Sequence, residues 1–166
     1  SSLKPFFSQR VADTLEEAGR CIAIAEKYSQ VFCTVGVHPH EAKGWWEGSW
    51  EVMWELVRSS KKVKAIGEIG LDYHYDHSPR PMQQEVFREQ LKLANELHLP
   101  VVVHCRNAIE DVWNIVNIVD IKDIMAAMIF YGAFFKIGHK GHGKGIFIRH
   151  IPAAFQMSHY SSFIVE

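Results

Sequence analysis

His38, Glu68 and His104 can each ligate a metal or move a proton, and each directly follows a short apolar run: Val-Gly-Val, Lys-Ala-Ile-Gly and Val-Val-Val. A lone polar residue at a strand end is usually a turn former or a cap. Three in succession, all imidazole or carboxylate, form the pattern expected where parallel strands deliver their carboxyl ends into one cleft. Imidazole with carboxylate suits Mg²⁺, Mn²⁺, Zn²⁺ or iron, and a Glu can bridge two such ions. A pair of close ions activates a water and stabilises the leaving oxygen of a phosphodiester. One strand end supplies only part of such a site, so further ligands must come from elsewhere.

The elements that position these residues are legible as alternating periodicities. Val11, Leu15, Ala18, Ile22 and Ala25 keep helical spacing and predict an amphipathic helix over about residues 9–28. Val31 to Val37 is a β-branched, apolar strand, and Val63 to Gly67 is the next. Between them Trp50, Met53, Trp54 and Val57 mark a helix face. A long helix is expected from about Arg80 to His98, stopped by Pro100, and Val101–Val103 follows as a short apolar strand. Asn107 is placed to cap a further helix, with Glu110 at the third position and Ile109, Val112, Trp113 and Val116 on its inner face. Strands alternating with helices predict βαβ units and a parallel sheet. Periodicity alone does not separate a closed barrel from an open doubly wound sheet. Beyond about Asp120 the pattern weakens. Ile121–Phe135 is apolar without a period, Gly138–Gly145 reads as a flexible basic loop, and Ile146–Ile148 as one more strand.

Three blocks carry a specific resemblance. Thr34-Val-Gly-Val-His-Pro-His-Glu41, Ala65-Ile-Gly-Glu-Ile-Gly-Leu-Asp-Tyr73 and Leu99-Pro-Val-Val-Val-His-Cys-Arg-Asn-Ala108 are similar, in order and spacing, to signature blocks of the TatD-related deoxyribonucleases. The Gln83–Leu97 helix resembles that family's as well, and the likeness spans about residues 10–117. It implies an α/β fold, a TIM-like (β/α) barrel, and divalent-metal-dependent hydrolysis of DNA phosphodiesters, often from an end. It also implies that Glu68 bridges up to two ions (Mg, Mn or Zn) and that His104 binds one of them. His38 would lie beside them against substrate or metal-bound water, and Arg106 would be placed for a phosphate. Asp72 and Tyr73, on the loop after the Glu68 strand, would shape the substrate pocket, with a plain turn role for Asp72 as the alternative.

The departures set the remaining expectations. The family's opening strand, which ends in His-x-His and supplies two ligands, has no counterpart before Val11. His38-Pro39-His40 spells the same pattern inside a later block, so His40 is read as a loop histidine. Met128 stands where the family carries a His, and a thioether is a poor ligand for a hard cation. The family's closing Glu-Thr-Asp block is not matched. The chain is therefore read as one truncated TatD-like domain over 1–166 with a divergent segment at 121–166, a partial barrel lacking first and last strands. Two other readings compete: a catalytically silent scaffold, and another amidohydrolase-like metalloenzyme, against which the paired GEIGLD and HCRNA blocks speak. No role is assigned to His139, His142, His150 or His159.

Composition narrows the classes. With 48% hydrophobic and 12% aromatic residues the chain folds around a core rather than staying disordered. A formal charge of −1 excludes the strongly basic signature of a nucleic-acid coat, while leaving room for an enzyme that grips a few phosphates of DNA. Three scattered cysteines without CxxC argue against a disulfide framework and for a reducing cytoplasm. No secretory signal or membrane-spanning run is read from the sequence. An open parallel sheet has unpaired edges and half-covered apolar faces, so the isolated chain is expected to self-associate. Light scattering checks this: a monodisperse, cooperatively melting monomer would show the open side to be covered.

Overall fold

The computed structural model describes residues 8–10, 13–119, 126–130, 133–140 and 143–150. Its elements, in chain order, are β1 (Ser8–Arg10), α1 (Leu15–Lys27), β2 (Val31–Val35), a 3₁₀ turn (Pro39–Gly44), α2 (Ser49–Ser59), β3 (Val63–Asp72), α3 (Arg80–Leu97), β4 (Val101–Arg106), α4 (Ile109–Val119), β5 (Ala126–Phe130), β6 (Ala133–Lys140) and β7 (Gly143–His150). The seven strands form one sheet in the order of the chain. The first five are parallel, and β6 and β7 continue antiparallel. A doubly wound sheet reverses its order at a switch point, whereas here every parallel strand lies beside its predecessor. The winding is that of a TIM-like β/α barrel, of which the chain forms part.

The ends add detail that sequence did not offer. A short strand without the family's His-x-His precedes the first helix: Ser8–Arg10 pairs parallel with Val31–Cys33. The first helix accordingly starts at Leu15, not near residue 9. Thr14 caps it, its Oγ1 accepting from Glu17 N at 3.2 Å, while Glu17 Oε2 accepts from Asp13 N at 3.1 Å. The Thr-x-x-Glu spacing was the stronger boundary signal, because a satisfied N-terminus outweighs one apolar residue at helical phase. At the other end, β5 covers the edge of β4, with Val103 in register with Met128. The Gly-rich run expected as a loop enters paired strands instead, Gly138 opposite Gly145 and Lys140 opposite Gly143. The aromatic and β-branched residues flanking it favour strand, and antiparallel pairing carries through the glycines between them.

The core is built on both faces of β3 and β4. Ile66, Ile69, Leu71, Val101 and Val103 are fully buried with Phe87, Leu91 and Leu93 of α3. The α3 helix ends at His98, left-handed at φ 52°, whose N–H reaches back to the last turn before Pro100. Asn107, at φ 54°, makes the turn out of β4 and does not flank α4, which begins two residues later. Asn tolerates this conformation, so the residue chosen as a cap serves the turn. Cys21, Cys33 and Cys105 are buried free thiols. Burial pushes the thiols of Cys33 and Cys105 up to about 11, which keeps them unreactive. Among the described residues no helix is long and apolar enough to cross a membrane.

One strand contact decides where the chemistry sits. β3 runs through Glu68 to Asp72, five residues beyond the run read from sequence. Its register against β4 shifts between Ile66 and Ile69, where Gly67 and Glu68 together face Val102, so a bulge falls at Gly67-Glu68. Gly70 then lies opposite His104, and a Cβ on Gly70 would sit 2.0 Å from the His104 carbonyl oxygen. Only glycine allows the two strands to close there. Gly70→Ala is expected to destabilise the protein by about 3 kcal/mol or more. Gly19→Ala, in α1 with open space around the added carbon, is expected to stabilise it by about 0.5–1 kcal/mol. Urea unfolding of the two variants checks both signs.

Candidate metal centre

Alternation along β3 puts Glu68, Gly70 and Asp72 on one face, and His104 on β4 opposes the middle of the three. The imidazole therefore reaches a carboxylate on either side. His104 Nδ1 lies 3.0 Å from Glu68 Oε1, and its Nε2 lies 3.0 Å from Asp72 Oδ2. His38 is delivered from the end of β2, where it opens the 3₁₀ turn. Its Nε2 is 3.3 Å from His104 Nδ1. His40, expected as a loop histidine, faces the same cluster: its Nε2 is 2.8 Å from Asp72 Oδ2.

Two buried glutamines of α3, two helical turns apart, hold the backbone under this cluster. Gln90 Oε1 accepts from Val37 N at 2.6 Å, and its Nε2 donates to Val37 O at 3.0 Å. Gln83 does the same for Asp72, accepting from its N at 2.8 Å and donating to its O at 3.2 Å. A buried amide satisfied at both ends fixes position without leaving a polar group orphaned.

Proton placement sorts the side chains into ligands and supports. The backbone N–H of His40 donates to His38 Nδ1 at 3.2 Å, so neutral His38 carries its hydrogen on Nε2. Burial, with help from His104 and His40, pushes His38 down to about 3, so it stays neutral and presents an N–H, not a lone pair. Asp72 has no free lone pair to offer. Oδ1 accepts from His74 N at 3.0 Å and Tyr75 N at 2.9 Å, and Oδ2 accepts from both His40 and His104. Burial alone would raise its pKa, but the Tyr75 backbone bond and the two imidazoles outweigh that and hold it well below the usual carboxylate range. His38, Glu68 and His104, and likewise His40, Asp72 and His104, each bring ligand atoms within 4.8 Å of one another. By the bond count, the second trio is a hydrogen-bond network rather than a coordination site.

The first trio contains a conflict that a cation resolves. With Nε2–H given to Asp72, His104 Nδ1 holds a lone pair that faces the Glu68 carboxylate. Adding a proton there satisfies Glu68 but sets two N–H groups, those of His104 and His38, against each other at 3.3 Å. Glu68 and His104 would hold a divalent ion through the facing carboxylate and Nδ1, with Asp72 fixing the imidazole from behind, as outer-shell carboxylates do. These residues fit a divalent ion.

The other expected site residues fall nearby with different duties. Asp72 and Tyr73, expected against substrate, have their polar atoms taken up within the protein. Asp72 is fully buried on the last position of β3. Tyr73 donates to Asp111 Oδ2 at 2.7 Å and accepts from Gln84 Nε2 at 2.7 Å, tying the loop to α4. Burial, reinforced by the bond to Asp111, raises that phenol to about 12. Arg106 places its guanidinium 4.4 Å from the ring of Tyr75. Tyr75 and His77 were not singled out from sequence; the run His74-Tyr75-Asp76-His77 was the available signal.

Carboxylate and imidazole converge here at the carboxyl ends of parallel strands, an arrangement that fits a metal site in an α/β domain. The TatD related DNase family profile matches residues 7–132, and the chain belongs to that family. YabD of Bacillus subtilis, named an uncharacterized metal-dependent hydrolase, is 43% identical over 98 residues, 59% of this chain and 38% of its own length. The 3'-5' ssDNA/RNA exonuclease TatD of Cronobacter turicensis is 44% identical over 95 residues, 57% and 36% of the respective chains. In crystal structures, the TatD homolog YjjV of Escherichia coli superposes with a TM-score of 0.64 at 32% identity, covering 68% of this chain and 44% of that one. A TatD family hydrolase from Entamoeba histolytica gives 0.62 at 28%, covering 68% and 40%. The chain thus spans well under half the length of the curated relatives it matches.

Asp72→Asn is expected to lower metal affinity about 10- to 100-fold, which titration calorimetry reads directly. The pH dependence has a defined sign. Burial would lower the His104 pKa, but Glu68 and Asp72 raise it above 6.5, and a bound metal must displace that proton. Apparent affinity should therefore climb as pH rises past 6.5 and level off above the raised value.

Proposed function

We propose that this chain carries the metal-binding part of a divalent-metal-dependent hydrolase that cleaves DNA phosphodiesters, of the deoxyribonuclease type. The observation that carries the reading is the convergence of Glu68 Oε1 and His104 Nδ1, 3.0 Å apart, with His38 Nε2 3.3 Å from the same nitrogen. The names of the relatives, a metal-dependent hydrolase and an exonuclease, support it. Mg²⁺, Mn²⁺ or Zn²⁺ bound there supplies a water of lowered pKa and positive charge against the phosphoryl oxygens. The residues of the chain do the rest. Glu68 and His104 hold the ion, and Asp72 keeps the His104 ring in one tautomer and orientation. His38 directs its N–H at an oxygen of the substrate or attacking water as a hydrogen-bond donor. Arg106, two positions past His104 on the same face of β4, brings a cation for a neighbouring phosphate.

A second reading, metal binding without appreciable turnover, is favoured by one observation. Within the cluster Glu68 and His104 are the candidate ligands, Asp72 being fully bonded and His38 a donor, and Met128 of β5 lies in register with Val103. One tightly placed ion is then the expected load of this 166-residue chain. Metal analysis should find about one ion per chain, lost on Glu68→Gln or His104→Ala. Release of nucleotides from single-stranded DNA should be weak. Robust Mg²⁺-dependent release, abolished by Glu68→Gln, would instead show that ligands beyond these two complete a working site.

A further inference from the structure

The loop between β3 and α3 carries exposed rings on a backbone that is unusually well tied down. Asp72 Oδ1 bonds the N–H groups of His74 and Tyr75, closing the loop's first turn. Its far end is pinned by Ser78, buried, whose hydroxyl donates to His40 O at 2.8 Å and accepts from Lys43 N at 3.0 Å. Gln83 Nε2 adds a bond to Ser78 O at 2.7 Å, Lys43 Nζ one to His77 O at 3.2 Å, and Arg80 clasps Asp76.

On this frame Tyr75, 50% exposed, lies parallel to His77, with 3° between the ring planes and 5.4 Å between centroids. The His40 ring stands nearly perpendicular to both, its centroid 5.7 Å from that of Tyr75 and 4.6 Å from that of His77, and the Arg106 guanidinium stands 4.4 Å from Tyr75. His40 in turn is bonded to Asp72, which holds His104. The stack is therefore continuous with the metal centre, one imidazole away from its anchoring carboxylate.

We propose that Tyr75 and His77 form a stacking shelf for an unpaired nucleobase next to the bond being cleaved, with Arg106 backing the Tyr75 ring. Every base has a π-face, so such a shelf tolerates sequence, yet it requires that the base be out of a duplex. It thereby selects single-stranded ends and sets the register of the chain against the metal centre. The assignment rests on the phosphodiesterase reading above for its substrate, but its test does not need turnover. Tyr75 and His77 are positioning residues here, not catalytic ones.

The test uses a single-stranded oligonucleotide with 2-aminopurine at its terminal position, titrated in EDTA so that no hydrolysis intervenes. Binding to the protein should quench the fluorescent base. Tyr75→Ala should abolish the quench and weaken binding about tenfold, and His77→Ala should do so in part, while Tyr75→Phe retains both. With an abasic terminal residue, the parent protein and Tyr75→Ala should bind equally. Because Tyr75 is half exposed, its variants should melt with the parent, which circular dichroism verifies. An undiminished quench in Tyr75→Ala, an equal loss on the abasic strand, or no binding by the parent protein would each overturn the shelf. Failure of the phosphodiesterase reading looks different: stacking would persist while neither metal binding nor cleavage depended on Glu68.

Discussion

The Asp72 carboxylate is the interaction on which the rest of the site depends. A buried carboxylate is costly unless its lone pairs are filled, and here all four positions are taken. Each bond fixes something different. The two backbone donors shape the loop that bears Tyr75 and His77. The two imidazoles are turned so that His104 aims its Nδ1 at Glu68. Were Asp72 uncharged or displaced, the turn, the ring orientation and the ligand pair would loosen together. Of the two alternatives that sequence left open for this residue, the bonds to His74 N and Tyr75 N are those of the turn former.

Asp72 can be buried because α3 and the glycines of β3 make room and supply partners. Gln83 and Gln90 sit on the face of α3 that also buries Val86, Phe87 and Leu93. Their amides would be expensive there without partners, and they find them in the backbone of Asp72 and Val37. The helix thus sets the spacing between the β2 end and the β3 end, which no local propensity could fix. Gly70 does the complementary work from the other side by letting β4 approach. Hydrophobic burial drives the layers together, and these polar contacts decide the register at which they stop.

The family resemblance and the bond count point to the same candidate ligands while differing in emphasis elsewhere. Glu68 and His104 emerge from both. For His38 the structure adds a tautomer, and with it a donor role that residue type alone could not distinguish from ligation. His40 shows the opposite case: its sequence context suggested a loop position, whereas the fold returns it to the cluster through Asp72. Tyr73 turns outward to α4, and the next ring in the run, Tyr75, occupies the exposed position beside the centre.

How much could be read beforehand follows the range of the interactions concerned. Apolar periodicity located α1, α2, α3, α4 and the cores of β2, β3 and β4, because burial of one face is a local property of the pattern. The ends of apolar runs located His38, Glu68 and His104, because parallel strands share a polarity. What sequence left undecided depends on contacts between distant segments. Strand order chose the barrel winding over the doubly wound sheet, and pairing with β2 made a strand of Ser8–Arg10. The bulge at Gly67-Glu68 and the close approach at Gly70 carried β3 on to Asp72. Ligand, donor and anchor were then separated by which lone pair each proton occupies. That depends on distances of about 3 Å between β2, β3 and β4, which only the packed sheet sets.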